Sequence, residues 1–165
     1  MQLRKYKNED AKTIAKWIKN ERELRLWSAD RYENYPITEF DIINNYKECQ
    51  RSNNFYPLTL VDKNNIIGHL IIRNPCEDLL IFRLGFIIIN PYYRKQGYGK
   101  KIINEAIEYA KKNYNAKNFN LGVFIDNENA LNCYLNAGFK IIDIEKNVFK
   151  FYDEYWDCVE MVYEK

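Results

Sequence analysis

The pattern of hydrophobic and polar positions predicts that the chain begins with helices. Apolar residues recur at helical spacing after the capping side chains of residues 8–10, which predicts a helix that ends near Asn20. A second helix is predicted after Thr38, whose hydroxyl can cap it, because apolar residues again recur at helical intervals. Residues 26–36, between these two helices, are polar and aromatic and follow no clear period.

From Phe55 onward the pattern becomes that of β-strands alternating with helices. Residues 56–61 and 66–72 predict a hairpin, because two β-branched runs flank a polar turn. The run 79–89 is nearly uncharged and rich in isoleucine, as expected of a strand buried on both faces. The later pattern predicts a helix from about 99 to 113, a strand at 119–125, a helix at 128–136 and strands near 139–144 and 155–163. With a further strand expected at 3–6, this order predicts an α/β fold with one mixed sheet.

Length and composition favour one domain and argue against several other classes of protein. With 165 residues, of which 47% are hydrophobic and 29% charged, residues 1–165 are expected to form a single domain. No apolar run approaches the roughly 20 residues that span a bilayer, and the first residues lack the apolar centre of a signal peptide. A cytoplasmic protein without a membrane partner is therefore expected. The net charge of +2 gives no support for a nucleic-acid partner.

Metal and thiol chemistry are poorly supported by the sequence. The four cysteines are widely separated and His69 is the only histidine, so neither a metal cofactor nor a disulfide scaffold is expected. His69 alternates with apolar residues in a predicted strand, which favours a packed, hydrogen-bonded histidine over a catalytic base. Cys133 has no partner histidine that would support a thiol nucleophile.

The loop P-Y-Y-R-K-Q-G-Y-G-K-K, at 91–101, combines two glycines with basic residues between a buried strand and a helix. The first N–H groups of a helix have no intrahelical partner and favour an anion. Glycines at 97 and 99 would let phosphate oxygens approach the backbone closely. The loop therefore suits a diphosphate, while a tight structural turn is the alternative. Its spacing fits neither a Walker A loop nor a dinucleotide fingerprint.

Two motifs carry a resemblance to a known family. The loop reads as R/Q-x-x-G-x-G/A, with Arg94, Gly97 and Gly99 at the defined positions. A later block reads as N-x-x-A-x-x-x-Y-x-x-x-G-F, beginning at Asn127 and ending at Phe139. In this order and separation, the motifs resemble those of the GCN5-related N-acetyltransferase (GNAT) superfamily. Within it, the sequence is similar to the bacterial group that includes ribosomal-protein N-terminal acetyltransferases and polyamine or aminoglycoside acetyltransferases.

The resemblance implies a fold and a co-substrate. The GNAT fold has a central, mostly antiparallel sheet whose two central strands splay apart, flanked by helices. Acetyl-CoA would insert its pantetheine arm between these strands and pair with the backbone of Ile87, Ile88 and Ile89. Its pyrophosphate would lie on the loop, and the second motif would complete the site. The binding residues implied in these two motifs are Arg94, Lys95, Gln96, Gly97, Tyr98, Gly99, Lys100, Asn127, Ala130 and Tyr134.

The same resemblance implies direct transfer of an acetyl group to a primary amine in a ternary complex. Tyr134 occupies the position of the family's general acid, whereas from residue type alone a packed tyrosine is the alternative. The glutamate that serves as base in ribosomal-protein acetyltransferases would fall at Gly122. Glu33, Glu39 or a water path would have to replace it. A non-catalytic acyl-CoA-binding regulatory module is the alternative function.

The acceptor is expected between two aromatic and acidic segments, 27–36 and 149–156. Their carboxylates, Asp30, Glu33, Asp153 and Glu154, would attract a cationic amine that aromatic rings flank by cation–π contact. Solvated loops with aromatic anchors are the alternative. Predicted substrate contacts are Trp27, Tyr32, Glu33 and Tyr35. The acceptor would be a small amine or a protein N-terminus, and pairing of open sheet edges would give a homodimer.

Overall fold

The computed structural model describes residues 1–76 and 80–164, with the side chain of Cys76 left out. Within these ranges the strands are β1 (Gln2–Lys5), β2 (Phe55–Asp62), β3 (Asn65–Cys76), β4 (Ile81–Ile89), β5 (Asn118–Phe124), β6 (Phe139–Phe151) and β7 (Glu154–Tyr163). The helices are α1 (Asn8–Ala15), α2 (Glu21–Ser28), α3 (Glu39–Cys49), α4 (Tyr98–Tyr114) and α5 (Glu128–Ala137), with short 3₁₀ turns at Gln50–Ser52 and Pro91–Tyr93. No helix in the described ranges is both long and apolar enough to cross a membrane.

The strands form one seven-stranded sheet in the order β1-β2-β3-β4-β5-β7-β6. Neighbouring strands are antiparallel except β4 and β5, which are parallel. These two central strands pair only where Ile81–Arg83 meets Asn118–Asn120. Farther along, β4 stays paired with β3 and β5 stays paired with β7, so the two strands diverge. The prediction of a mixed, mostly antiparallel sheet with a splayed centre is confirmed.

A bulge in β4 changes which way its side chains face. The register between β3 and β4 shifts between His69 and Ile71. Opposite this shift Phe86 has a φ of 49°, a left-handed value that is strained for a residue with a Cβ. Before the bulge, Phe82 and Leu84 join the core under α4 and α5, whereas after it Phe86 packs against the core under α1, α2 and α3.

Helices cover both faces of the sheet and bury two cores. α4 and α5 place Ile102, Ile103 and Ala106 against β-strand residues such as Phe119 and Met161. On the other face, α1, α2 and α3 bury a separate set that includes Ile14, Leu24, Ile42 and Tyr46. The opening between β4 and β5 lies between these two layers, so both faces of the sheet contribute to it.

The structure corrects several boundaries. α1 ends at Ala15 and not near Asn20, whose side chain instead accepts a hydrogen bond from Glu23 N and caps α2. α2 was not predicted, because it is short and four of its eight residues are charged. β6 continues to Phe151 instead of ending near 144, and β3 continues to Cys76 although the sequence predicts a turn at 74–78. Positions 77 and 78 of that turn, and Leu79 of the next predicted strand, lie outside the described residues.

Candidate functional site

The divergence of β4 and β5 leaves a cavity of about 250 Å³. Its walls come from α2 and the turn after it, from β3, β4, β5 and β7, and from the start and middle of α5. Residues important for its chemistry are Trp27, Arg73, Phe86, Gly122, Asn127 and Tyr134. The sequence motif therefore brings Asn127 and Tyr134 into one cavity with Ile87 of β4.

The backbone of β4 is available on the side that faces this cavity. Beyond Arg83, β4 has no pairing with β5 in the described chain, so its groups on that side lack a strand partner. On the opposite side Ile88 and Ile89 remain opposite His69 and Gly68 of β3. An extended ligand could pair with β4 there as an added strand would.

The glycine loop joins this opening to the N-terminus of α4. Lys95 and Gly97 have φ values of 59° and 83°, which turn the backbone sharply before the helix begins. The first helical hydrogen bond runs from Lys101 N to Gly97 O, so the preceding N–H groups have no intrahelical partner. Arg94 Nε donates to the carbonyl oxygen of Ile89 at 3.1 Å and fastens the loop to the end of β4. The loop thus presents helix N–H groups and basic side chains beside the opening.

The two loop glycines have different roles. A Cβ at Gly97 would meet nothing within 4 Å, and the positive φ explains the glycine there. A Cβ at Gly99 would lie 2.6 Å from Cys133 Sγ, so this glycine allows α4 and α5 to approach each other. The expectation that a glycine lets phosphate oxygens approach the loop backbone therefore fits Gly97. The packing role of Gly99 was missed because it depends on a residue 34 positions away.

Tyr134 lies on α5 with 8% of its surface exposed and contributes to the cavity. Its ring packs against Phe139, with the centroids 6.4 Å apart. None of the hydrogen bonds within the described residues uses its hydroxyl. Burial raises the pKa of Tyr134 above its ordinary value, so the phenol carries its proton at neutral pH. The opening is therefore lined by a tyrosine whose phenol keeps its proton.

The position expected for a glutamate base is occupied by Gly122, beside an ion pair that a side chain there would displace. Gly122 lies opposite Glu160, which makes two hydrogen bonds of 2.7 Å with Arg83. A Cβ at Gly122 would come within 2.5 Å of Arg83 Nη2 and 2.7 Å of Glu160 Oε1. The hydrogen bonds that Arg83 donates to Glu160 raise the pKa of Arg83, so this ion pair is maintained. Neither Glu33 nor Glu39 contributes to the cavity wall.

Of the predicted substrate contacts, the structure brings only Trp27 to the cavity. The Tyr32 ring stacks on Trp27 at 5.8 Å between centroids and is buried behind it. Phe86 lies 5.2 Å from the Trp27 ring and extends this aromatic wall. Glu33 and Tyr35 are exposed and away from the wall, and the Tyr35 hydroxyl donates to Lys19 O. Of these predicted contacts, the aromatic Trp27 thus lies at the cavity, whereas the acidic Glu33 does not.

The second predicted acceptor segment contacts α2. Arg22 binds Glu154 at 2.7 Å and Asp126 at 3.3 Å, and its guanidinium lies 4.9 Å from the Trp156 ring centre. The Tyr152 hydroxyl donates to Glu21 at 2.8 Å. The carboxylate of Glu154 is therefore already paired, and these contacts hold the β6–β7 turn against the helix that lines the cavity.

The histidine and the motif cysteine have structural surroundings. His69 is fully buried, with its Nε2 2.7 Å from the Tyr46 hydroxyl, as the strand pattern predicts. Burial lowers the pKa of His69 to about 3, so the imidazole is neutral at pH 7. Burial also raises the pKa of Cys133, whose sulfur packs against α4. Neither residue is a candidate nucleophile or base.

The fold is a mixed α/β sheet that opens between its two central strands, with a glycine loop and a helix N-terminus after the first of them. Residues 20–139 match the acetyltransferase (GNAT) family. This match covers more than half of the chain, so the chain belongs to the GNAT family of acetyltransferases.

Individual known proteins are similar over different lengths. N-alpha-acetyltransferase 50 of Danio rerio is 38% identical over 58 residues, which are 35% of this chain and 34% of that protein. The chain thus matches about a third of that curated relative's length. A spermidine N-acetyltransferase from Vibrio cholerae, solved in complex with CoA and spermine, superposes with a TM-score of 0.81 at 21% identity. That superposition covers 98% of this chain and 93% of the other, and at this identity it shows the shared fold.

Proposed function

We propose that the protein transfers an acetyl group from acetyl-CoA to a primary amine, with both substrates bound at the same time. The observation that carries this proposal is the opening between β4 and β5, which has Tyr134 in its wall and the glycine loop at its end. Membership in the acetyltransferase family supports it. A solved structure of similar fold contains CoA and spermine, which is consistent with a CoA-bound amine acetyltransferase.

The residues present fit acetyl-CoA. The space beside Gly97, the free N–H groups of α4 and the basic residues Arg94, Lys95 and Lys100 suit a pyrophosphate. The unpaired side of β4 around Ile87 suits the amides of an extended pantetheine arm. Asn127, at the start of α5, lines the same opening, and Ala130 follows it in the first turn of that helix. The proposal requires no metal cofactor.

Acetyl-CoA supplies, when bound, a thioester whose acetyl group can pass to an amine while the sulfur leaves as a thiolate. In this proposal, backbone N–H groups of β4 near Ile87 polarise the carbonyl. The Tyr134 hydroxyl gives its proton to the departing sulfur. The raised pKa of Tyr134 keeps the phenol protonated but makes proton transfer to the sulfur less favourable. Close contact between the phenol oxygen and the thioester sulfur has to offset this free-energy difference. The new bond joins the amine nitrogen to the acetyl carbon.

The amine must also lose a proton, because an alkylamine with a pKa of about 10 is almost wholly protonated at pH 7. Gly122 supplies no side chain for this step, and Glu160 is held by Arg83. We therefore propose that water in the cavity accepts the proton. The same observation favours the alternative function, a module that binds an acyl-CoA and transfers nothing.

Release of thiol from acetyl-CoA with a panel of primary amines tests the proposal. We expect amine-dependent release, and we expect Tyr134→Phe to lower kcat by about 10²–10⁴-fold while the KM for acetyl-CoA stays within about twofold. Tyr163→Phe is a matched control, since Tyr163 also packs on Phe139 but does not line the cavity. Acetyl-CoA binding without release, for every amine, would support the binding module. Unchanged turnover in Tyr134→Phe would remove that residue from the mechanism.

The acceptor is proposed to be a small amine or a protein N-terminus, as the names of the similar proteins suggest. We further propose a homodimer formed through β6, an edge strand of 13 residues with one side of its backbone unpaired. Ile142 and Ile144 are exposed on this strand, at 62% and 41%, and a second copy would cover them. A cytoplasmic site of action stays a prediction.

A further inference from the structure

The cavity contains an unexpected concentration of positive charge. Arg31, in the turn after α2, Arg73 of β3 and Arg83 of β4 all contribute to its wall. Arg73 and Arg83 lie directly opposite each other in the register of the two strands. Like charges directly opposite on a sheet are destabilising, so this pair needs compensating negative charge.

Only one of the two opposed arginines is compensated within the described residues. Arg83 makes its two-pronged ion pair with Glu160. Arg73 has no carboxylate within ion-pair distance in residues 1–76 and 80–164, and its Nε is buried without a hydrogen-bond partner. Burial and the charges of Arg83 and Arg31 lower the pKa of Arg73, which shows how unfavourable this environment is for a cation.

The other charged residues at the cavity do not balance Arg73. Arg31 is exposed and likewise forms no ion pair with a described residue. Asp30 is exposed at the rim and is the one remaining carboxylate among the described residues of the wall. Among the residues that the structure describes, the buried Nε of Arg73 at this cavity thus has neither an ion-pair nor a hydrogen-bond partner.

The pyrophosphate of acetyl-CoA is too far away to be the missing anion. Arg83, opposite Arg73, comes six residues before Ile89, and the proposed phosphate loop follows Ile89. At about 3.3 Å per strand residue, this separation is roughly 20 Å. The anion that Arg73 would bind therefore belongs to the other substrate, which enters on the side of Trp27.

We propose that Arg73 binds a carboxylate on the acceptor, so that the acceptor is a small amine that also carries a carboxyl group. This inference rests on the proposed function, because it assumes that the cavity receives the acceptor. A guanidinium binds a carboxylate through two parallel hydrogen bonds, and Arg73 Nε is one unused donor. The rings of Trp27 and Phe86 provide an apolar wall for the carbon chain between the two groups.

This acceptor class differs from the cationic one expected from the sequence. Of the carboxylates predicted to attract a cation, Glu154 is paired with Arg22, Glu33 lies away from the cavity, and Asp30 lies only at its exposed rim. A volume of about 250 Å³ is below the usual range of drug-sized pockets, roughly 300–1,000 Å³, so the acceptor is small. An amino acid meets these conditions better than a polycation.

Three acceptors with the same five-carbon chain test the inference: pentylamine, 1,5-diaminopentane and 5-aminopentanoate. Their binding to the protein saturated with CoA is measured by ligand-observed NMR, and thiol release is measured separately. We expect 5-aminopentanoate to bind about tenfold or more tightly than the other two, a difference typical of a charge-assisted hydrogen-bonded pair. Arg73→Gln should remove this preference, Arg73→Lys should keep part of it, and CoA affinity should not change.

Arg51→Gln is the matched control, because Arg51 is an exposed arginine that does not line the cavity. Arg73→Gln should unfold at the same temperature as the natural protein or a higher one, since it removes an uncompensated charge beside Arg83. Equal binding of the three amines, tighter binding of 1,5-diaminopentane, or a preference that survives in Arg73→Gln would overturn the inference. Acetylation of pentylamine would still support the proposed function in those cases. Conversely, the expected binding pattern without any thiol release would uphold the carboxylate site and contradict acetyl transfer.

Discussion

His69 and Tyr134 show that position relative to the cavity, and not burial alone, separates a structural residue from a candidate for the chemistry. Both are buried and both have shifted pKa values, but only Tyr134 lies in the cavity wall. His69 is enclosed by Tyr46 and Tyr6, whose rings lie within 5.6 Å of its own. Its neutral imidazole contributes to packing and to one buried hydrogen bond. The strand alternation was enough to predict this role for His69, because alternation reports which face a side chain occupies.

The low pKa of His69 predicts that stability falls in acid. The unfolded state binds a proton below pH 6.5, whereas the folded state does so only near pH 3. The contribution is therefore complete above pH 6.5 and is lost as pH falls toward 3, by up to about 1.4 kcal/mol per pH unit. Urea unfolding between pH 7.5 and 4.5 should show His69→Gln less stable at pH 7.5, with a difference that shrinks in acid. Tyr46→Phe, which keeps the histidine, should retain the pH dependence of the natural protein. A pH-independent difference for His69→Gln would contradict this account.

At the scale of elements, the close approach of α4 and α5 determines where the loop and Tyr134 lie relative to each other. Gly99, in the first turn of α4, faces Cys133 of α5, the residue that precedes Tyr134. Because α5 carries Tyr134 into the cavity wall, a shift of this helix contact would also move the hydroxyl. One glycine thus connects the start of α4 with the proposed acid.

This contact predicts a specific double-mutant result. Gly99→Ala should destabilise the protein by about 1–3 kcal/mol, because its methyl group would overlap the sulfur of Cys133. Cys133→Ala removes that sulfur, so adding it to Gly99→Ala should recover much of the lost free energy of unfolding. Urea unfolding of the four proteins gives the coupling between the positions. Additive effects would show that the two side chains do not share this space.

Some elements could be predicted from sequence and others could not, for physical reasons. The Ile102–Ala110 stripe of α4 is strongly periodic and lies over the sheet, so its helix was predicted within one or two residues. α2 has only eight residues, too few for its apolar spacing to repeat, and Arg22 finds its partners Asp126 and Glu154 more than 100 residues away. Similarly, the opposition of Arg73 and Arg83 follows from strand register, which local patterns do not report.

At the scale of the whole molecule, the two ends of the sheet differ. β1 is a short edge strand of four residues, whereas β6 at the other end has 13. Long exposed edges are prone to pair with another strand, and short ones are not. The proposed dimer interface is therefore at the β6 end, next to the turn that contacts α2.

The dimer proposal predicts a change in assembly from one surface substitution. Ile142→Asp should convert a dimer into a monomer, because it places a charge in the exposed apolar part of β6. Sedimentation velocity at micromolar concentration reports the mass of each variant. Phe40→Asp, at an exposed position on α3 away from this edge, should leave the dimer intact. A natural protein that sediments as a monomer would contradict the proposal.

The central claim is that the opening and its glycine loop bind acetyl-CoA, and titration calorimetry tests it most directly. Gly97→Asn and Gly97→Asp have nearly the same shape and both tolerate the left-handed backbone at this position, but only aspartate adds a negative charge. We expect acetyl-CoA to bind the natural protein, and to bind Gly97→Asp at least about tenfold more weakly than Gly97→Asn, because the carboxylate repels the pyrophosphate. Absence of binding to the folded natural protein, or equal affinities of the two variants, would contradict the account.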